Sequence, residues 1–166
     1  MIGGLAVQRW GEPRQTRDVD LALLTGLGNE AAFIDPLLAH YGARRPDARA
    51  FALSYRVVLR ETAAGIPIDI SLAALPFEEH VADRSTHFAF APGCVVTTCS
   101  AEDLVVLRAL ADRPQDWLDV EGIVVRQGAT LDRARVMHEL GRLLELKEDD
   151  TPAATLRKVF GRHPVR

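Results

Sequence analysis

Apolar positions recur along this chain in two rhythms. Up to about residue 100, short helical stretches alternate with apolar, β-branched runs; beyond it the spacing is almost wholly helical. Leu5 to Trp10 reads as a small helix ending at Gly11, and Gly11 to Arg17 as a polar loop. Asp18 to Leu24 alternates at its start and then runs apolar, as a strand entering a core does. Asn29 to Tyr41 has Phe33, Leu37 and Leu38 on one helical face, with Asn29 as its cap; Pro36 would distort that helix, or the helix starts at Asp35 with Pro36 at its first position. Ala50 to Glu61 reads as a strand rich in Val, Leu, Tyr and Phe. Gly65 to Leu72 is its hairpin partner across a tight turn. Pro76 to Asp83 reads as a short helix, and His87 to Ala91 and Cys94 to Thr98 as two further strands.

Ser100-Ala-Glu-Asp103 resembles a capping box, with Asp in place of Glu or Gln. The helix it opens places Leu104, Leu107, Leu110 and Ala111 inward. Pro114 starts another helix that Gly128 stops. Leu131 to Leu146 carries Val136, Met137, Leu140, Leu143 and Leu144 at helical spacing, which reads as core, and Pro152 to Phe160 as a last short helix. The pattern predicts an α/β (α+β) fold: a small, mixed, twisted sheet with helices on it, in residues 1–99, and a helical part packed on that core in residues 100–166.

Composition narrows the function classes. At 166 residues, 48% hydrophobic and 26% charged, the chain suits one globular domain and not a disordered tail or a disulfide scaffold. A net charge of −3 provides no global basic field for nucleic acid, so such a contact needs a local patch. No apolar run approaches the ~18–20 residues that span a bilayer, and Met1 to Gly4 has neither a basic nor a long apolar signal region; a cytoplasmic protein without a membrane contact is expected. Cys94 and Cys99, five apart on one strand, would face opposite ways and read as two buried, reduced thiols.

Three acids sit where a carboxylate is costly. Asp18 and Asp20, two apart, share a sheet face, roughly 6–7 Å apart at the backbone. Asp69, in Ile68-Asp-Ile70, is on another strand; such an acid either meets a cation or is solvated at an edge. If the strands are neighbours the three converge, and hard oxygen ligands suit Mg²⁺ or Mn²⁺. Gly3-Gly4 ends the first apolar run and opens a helix, where backbone can approach phosphate.

Gly3-Gly4, the thirteen residues Leu5 to Arg17, Asp18-Val-Asp20-Leu, and later Ile68-Asp69-Ile together resemble the DNA polymerase beta-like nucleotidyltransferase superfamily. Residues 2–21 and 101–120 are similar to the AbiEii/AbiGii-type branch, many of whose small members are toxin-like partners in bacterial toxin–antitoxin pairs. The resemblance implies a nucleotidyltransferase-type sheet and transfer of an NMP from an NTP, with release of pyrophosphate, to a hydroxyl of tRNA, a protein or a small molecule. It implies Asp18, Asp20 and Asp69 as metal ligands, Asp69 also as a base, and Gly3 and Gly4 against the triphosphate. An antitoxin would be the partner. Arg108 stands where these relatives usually bear a lysine, with Arg113 and Asp116 at matching positions after it; these relatives also carry a helix and a strand ahead of the Gly-Gly, where this sequence has Met1 and Ile2.

The remaining charged residues read two ways. Arg14 and Arg17 either steer triphosphate or are solvated loop arginines. Arg108 either reaches the triphosphate or pairs with Asp112, four residues on. Asp116 and Asp119 read as acids favoured in the first turns of a helix, and Glu79, His80, Asp83 and His87 as solvated surface. Two other functions use the same acids: a catalytically lapsed binding partner in a toxin–antitoxin pair, and a metal-dependent phosphodiesterase.

Overall fold

A computed structural model describes residues 1–165. In chain order the elements are α1 (Gly4–Trp10), β1 (Val19–Leu24), α2 (Glu30–His40), β2 (Gly42–Ala43), α3 (Ala48–Tyr55), β3 (Val57–Glu61), β4 (Pro67–Ala73), α4 (Pro76–Asp83), β5 (Thr86–Ala91), β6 (Cys94–Thr98), α5 (Ala101–Ala111), α6 (Pro114–Gln127), a 3-10 turn (Gly128–Thr130), α7 (Arg133–Lys147) and α8 (Thr151–Arg162). This is an α+β chain with a helical C-terminal part, as the change of rhythm predicts. It divides into two units, residues 1–5 with 15–98, and residues 6–14 with 99 onward. The boundary between residues 98 and 99 falls where the pattern changes. The segment 6–14, expected in the first part, belongs instead to the helical one.

The first unit is built on a mixed four-stranded sheet in the order β1-β4-β3-β2, with β1 and β4 parallel and the other pairs antiparallel. One face is apolar. Ile70, Leu72 and Val58 are buried on it, with Leu21, Leu23 and Ile68 beside them, and Ile34, Leu37 and Leu38 of α2 and Ala52 of α3 pack against this face. Burying such side chains contributes about 1.5–3 kcal/mol each, which is why the alternation of β1 is legible at all. Arg60 also lies on this side, 1% exposed. Its Nη2 donates to the carbonyl of Leu38 near the end of α2 (2.9 Å), and burial pushes its pKa below the ordinary arginine value. A second, two-stranded sheet pairs β5 with β6. Met1 and Ile2 bond to both sheets: the amino terminus donates to Thr97 O (2.7 Å) and Ile2 N to Asp20 O (3.1 Å).

Three expectations need correction here. Residues 48–55 form a helix, α3, and only 57–61 the strand. Phe51 and Tyr55, four apart, stack at 4.6 Å, and Ala52 beside them faces the core, so the period is helical although the residue types suit a strand. Arg56 then takes a left-handed conformation (φ 55°) that turns the chain from helix to strand. Helix α2 starts at Glu30 and runs through Pro36; Asn29 stands at the cap position, but its side chain makes no capping bond. Cys94 is exposed and Cys99, beyond the end of β6, is buried, where burial raises its thiol pKa to about 12.

In the second unit α5 packs against α6, α7 and α8. Because it is covered from several sides, its buried set is not one stripe. Ala101, Leu104, Val105, Val106 and Ala109 are buried, and Ala111, expected inside, is exposed. Ser100 caps the helix: its Oγ accepts from Asp103 N (3.1 Å) and donates to Asp103 Oδ2 (2.7 Å). Val136, Leu140, Leu143 and Leu144 of α7 are buried as the stripe predicts. Residues 6–14 join this unit through Trp10 Nε1 to Cys99 O (2.8 Å), Gln127 Nε2 to Trp10 O (2.7 Å) and Arg126 Nη1 to Gly11 O (2.6 Å). Gly141, inside α7, has open space where a Cβ would stand. Gly141→Ala is expected to add about 0.5–1 kcal/mol of stability, read by urea denaturation, by removing the backbone entropy of a helical glycine.

Candidate functional site

The parallel register of β1 and β4 sets Asp20 directly beside Asp69. Neighbouring parallel strands lie about 4.8 Å apart, and residues in register share a face. Leu21 and Ile70, one residue on, point to the apolar side. The two carboxylates therefore stand on the face away from that core, each half-buried. Asp18 lies just ahead of β1, and its Oδ1 accepts a hydrogen bond from Thr16 Oγ1 (2.9 Å).

Gly3 and Gly4 are built into this cluster. A Cβ on Gly3 would lie 1.5 Å from Asp20 Oδ2 and 2.3 Å from Asp20 Cβ; a Cβ on Gly4 would lie 2.4 Å from Thr16 Oγ1. Only a residue with no side chain fits at Gly3, and at Gly4 any side chain requires Thr16 to shift. The N–H of Gly4 points to Asp20 Oδ2 at a long 3.4 Å. This N–H, expected to face phosphate at the start of a helix, faces a carboxylate of the chain itself. Asp69 is held by Arg44, whose Nη1 donates to its Oδ1. The structure thus brings Gly3, Gly4, Asp20 and Asp69 together, with Asp18 tied in through Thr16.

The arginines expected at phosphate are placed otherwise. Arg17 is exposed. Arg14, Arg108 and Arg113 lie in the second unit, in ion pairs with two acids. Arg14 grips Asp119 in bidentate fashion (2.7 and 2.8 Å). Arg108 donates to Asp116 (2.7 Å), with its Nε 3.5 Å from Asp119. Arg113 donates to Asp116 at 2.5 and 3.2 Å. The side chains of Asp116 and Asp119 are 1% and 2% exposed, so these are not solvated first-turn acids. Burial pushes the Asp116 carboxyl up, but the bonds from Arg113 and Arg108 outweigh it and hold the pKa below the usual carboxylate value. Asp112, the expected partner of Arg108, accepts instead from Trp117 Nε1 (2.7 Å). It sits in the left-handed cap of α5 (φ 55°), which turns it away from the helical offset-four geometry. Glu79, His80, Asp83 and His87 are exposed, as expected of a solvated surface.

Two participants escaped the sequence reading. Thr16 carries a local signal, a hydroxyl two residues before an acid. Arg44 carries none, being 25 residues from Asp69 and brought to it only by the strand order. Among the described residues, no three His, Cys, Asp or Glu side chains stand together as a metal-holding group. No helix among them is long and apolar enough to cross a membrane. Compared with known proteins, the chain matches no family model and no curated protein.

Proposed function

We propose that this chain is a metal-dependent nucleotidyltransferase, moving an NMP from an NTP to an acceptor hydroxyl and releasing pyrophosphate. The observation that carries the reading is the side-by-side placement of Asp20 and Asp69 with Gly3 closed against Asp20. Paired carboxylates on one sheet face are costly without a cation, and their oxygens fit a hard divalent ion. Asp20 and Asp69, joined by Asp18, would hold Mg²⁺ or Mn²⁺. The ion would stabilise the charge that develops on the transferring phosphate. Gly3 and Gly4 keep side chains out of the cluster, and Thr16 fixes the Asp18 carboxylate. Asp69 is the acid assigned to take the proton from the acceptor hydroxyl. In this reading Arg14, Arg108 and Arg113 build the helical unit and do not touch substrate. The acceptor is a hydroxyl of tRNA, a protein or a small molecule, in a cytoplasmic, toxin-like protein with an antitoxin partner.

A second reading, a catalytically lapsed binding partner in such a pair, is favoured by the engagement of Asp69 with Arg44 and of the three arginines with Asp116 and Asp119. Calorimetry with Mg²⁺ and each NTP separates the two. The transferase is expected to bind nucleotide in a metal-dependent way and to label tRNA or a co-purified protein with radioactive nucleotide, and Asp20→Asn to lose most of both. Binding that ignores EDTA, or that Asp20→Asn leaves intact, would discard the metal site and with it the transferase.

A further inference from the structure

The antiparallel register continues one residue past β2. Gly42 stands opposite Glu61 and Ala43 opposite Arg60, and Arg44 N reaches Leu59 O at 3.5 Å. Leu59 is in register with Asp69, and Asp69 with Asp20. Arg44, Leu59, Asp69 and Asp20 therefore form one row across the sheet, on one face. Arg44 is two strand spacings from Asp69, about 9–10 Å at the backbone, a span its long side chain crosses over Leu59.

Neighbouring arginines have partners of their own outside this row. Arg45 pairs with Asp47 (2.8 Å) and lies 4.3 Å over the ring of Phe51, and Arg49 pairs with Asp35 (2.8 Å). Arg44 is the one whose acid belongs to the candidate site. The pair is not sealed away: the two side chains are 30% and 33% exposed. Such a pair is weak and reversible. A guanidinium carries one charge and here holds one carboxylate. A divalent ion carries two and can be shared by adjacent carboxylates.

We propose that Arg44 is a displaceable counter-ion of the site: it neutralises Asp69 while no metal is bound, and a divalent cation must displace it to reach that carboxylate. This rests on the metal-site reading above and adds a regulation to it. The segment 44–47 joins the two-residue β2 to α3, so Arg44 can swing away without breaking a long strand.

The test is titration calorimetry with Mn²⁺ alone, at fixed ionic strength, on the whole chain. Arg44→Gln is expected to bind Mn²⁺ roughly two- to fivefold more tightly than the wild type, the equilibrium worth of an exposed ion pair. Arg45→Gln removes the same charge one residue away and is expected to bind as the wild type does. An unchanged melting temperature for Arg44→Gln shows that the fold is retained. Equal affinity of Arg44→Gln and wild type, with Mn²⁺ bound by both, overturns the counter-ion role and leaves the metal site standing. Equal tightening by both variants shows a general field effect and overturns it too. No Mn²⁺ binding by the wild type or either variant overturns the metal site and this proposal with it.

Discussion

Asp116→Ala is expected to destabilise the helical unit by about 3–5 kcal/mol, measured by urea denaturation. The substitution takes away the one close carboxylate of Arg108, whose side chain is 11% exposed, and leaves Asp119 at 3.5 Å as its nearest compensation. The penalty comes from the buried guanidinium, left with only this longer contact, and exceeds the net worth of the pair itself. Arg113→Ala, at the same carboxylate, should cost less than Asp116→Ala, because Arg108 still donates to Asp116 (2.7 Å) and no buried charge is left without a partner. Replacing both members of the buried pair, Arg108→Met with Asp116→Leu, is expected to recover most of the loss, since no buried charge is then left without a partner: Asp119 keeps Arg14. The pH dependence has a definite sign. The folded pKa of Asp116 is depressed, so its contribution is fully present above the ordinary carboxylate pKa of about 4 and is lost as pH falls through the depressed value. The stability of Asp116→Ala should therefore fall less steeply than that of the wild type in that acid range.

This buried network marks the limit of what the sequence discloses. Arg108 follows Leu107 in an apolar helix, which reads as a charge needing an anion, and that much is right. Which anion depends on how α6 lies on α5, and no local offset encodes it. The offset-four rule points to Asp112. The left-handed cap at Asp112 ends the helix, so the geometry behind that rule is absent there. The same limit explains Arg44. By contrast, Pro67–Ala73 is legible because its apolar residues alternate after a tight turn, where Gly65 takes φ +73° and the amide of Thr62 reaches Ile66 O at 2.9 Å. Residues 48–55 mislead because Phe51, Leu53 and Tyr55 suit a strand both by type and by their spacing of two, while the helix is betrayed only by the contact of Phe51 with Tyr55, four apart, and by Ala52 in the core. The acid pair is legible in part. Spacing places Asp18 and Asp20 on one face, but only the pairing of β1 with β4, distant in sequence, sets Asp69 beside Asp20.

The closest packing in the candidate site is at Gly3, and the largest effect on activity is expected there. Gly3→Ala would place a methyl group 1.5 Å from Asp20 Oδ2, 2.2 Å from its Cγ and 2.3 Å from its Cβ. Rotating the carboxylate away does not relieve the clash, because the Cβ of Asp20 is fixed by the strand. The first residues must move off β1, or β1 must shift against β4. Either movement breaks the bond of Ile2 N to Asp20 O (3.1 Å) or the register of Asp20 with Asp69. Overpacking of this kind costs about 1–3 kcal/mol, so the chain should still fold. A displacement of about 1 Å at a reacting centre can lower a rate by about a hundredfold. Gly3→Ala is therefore expected to reduce labelled-nucleotide incorporation by about two orders of magnitude, with a melting temperature only a few degrees lower. Gly4→Ala meets Thr16 Oγ1 at 2.4 Å and Thr16 Cβ at 2.9 Å, a looser clash that a small shift of Thr16 relieves, and is expected to fall between Gly3→Ala and the wild type. The assay compares the three chains at saturating Mg²⁺ and equal folded fraction. Full activity in Gly3→Ala would show that Asp20 is not held where transfer requires it, and would remove the Gly3–Asp20 contact as support for the transferase.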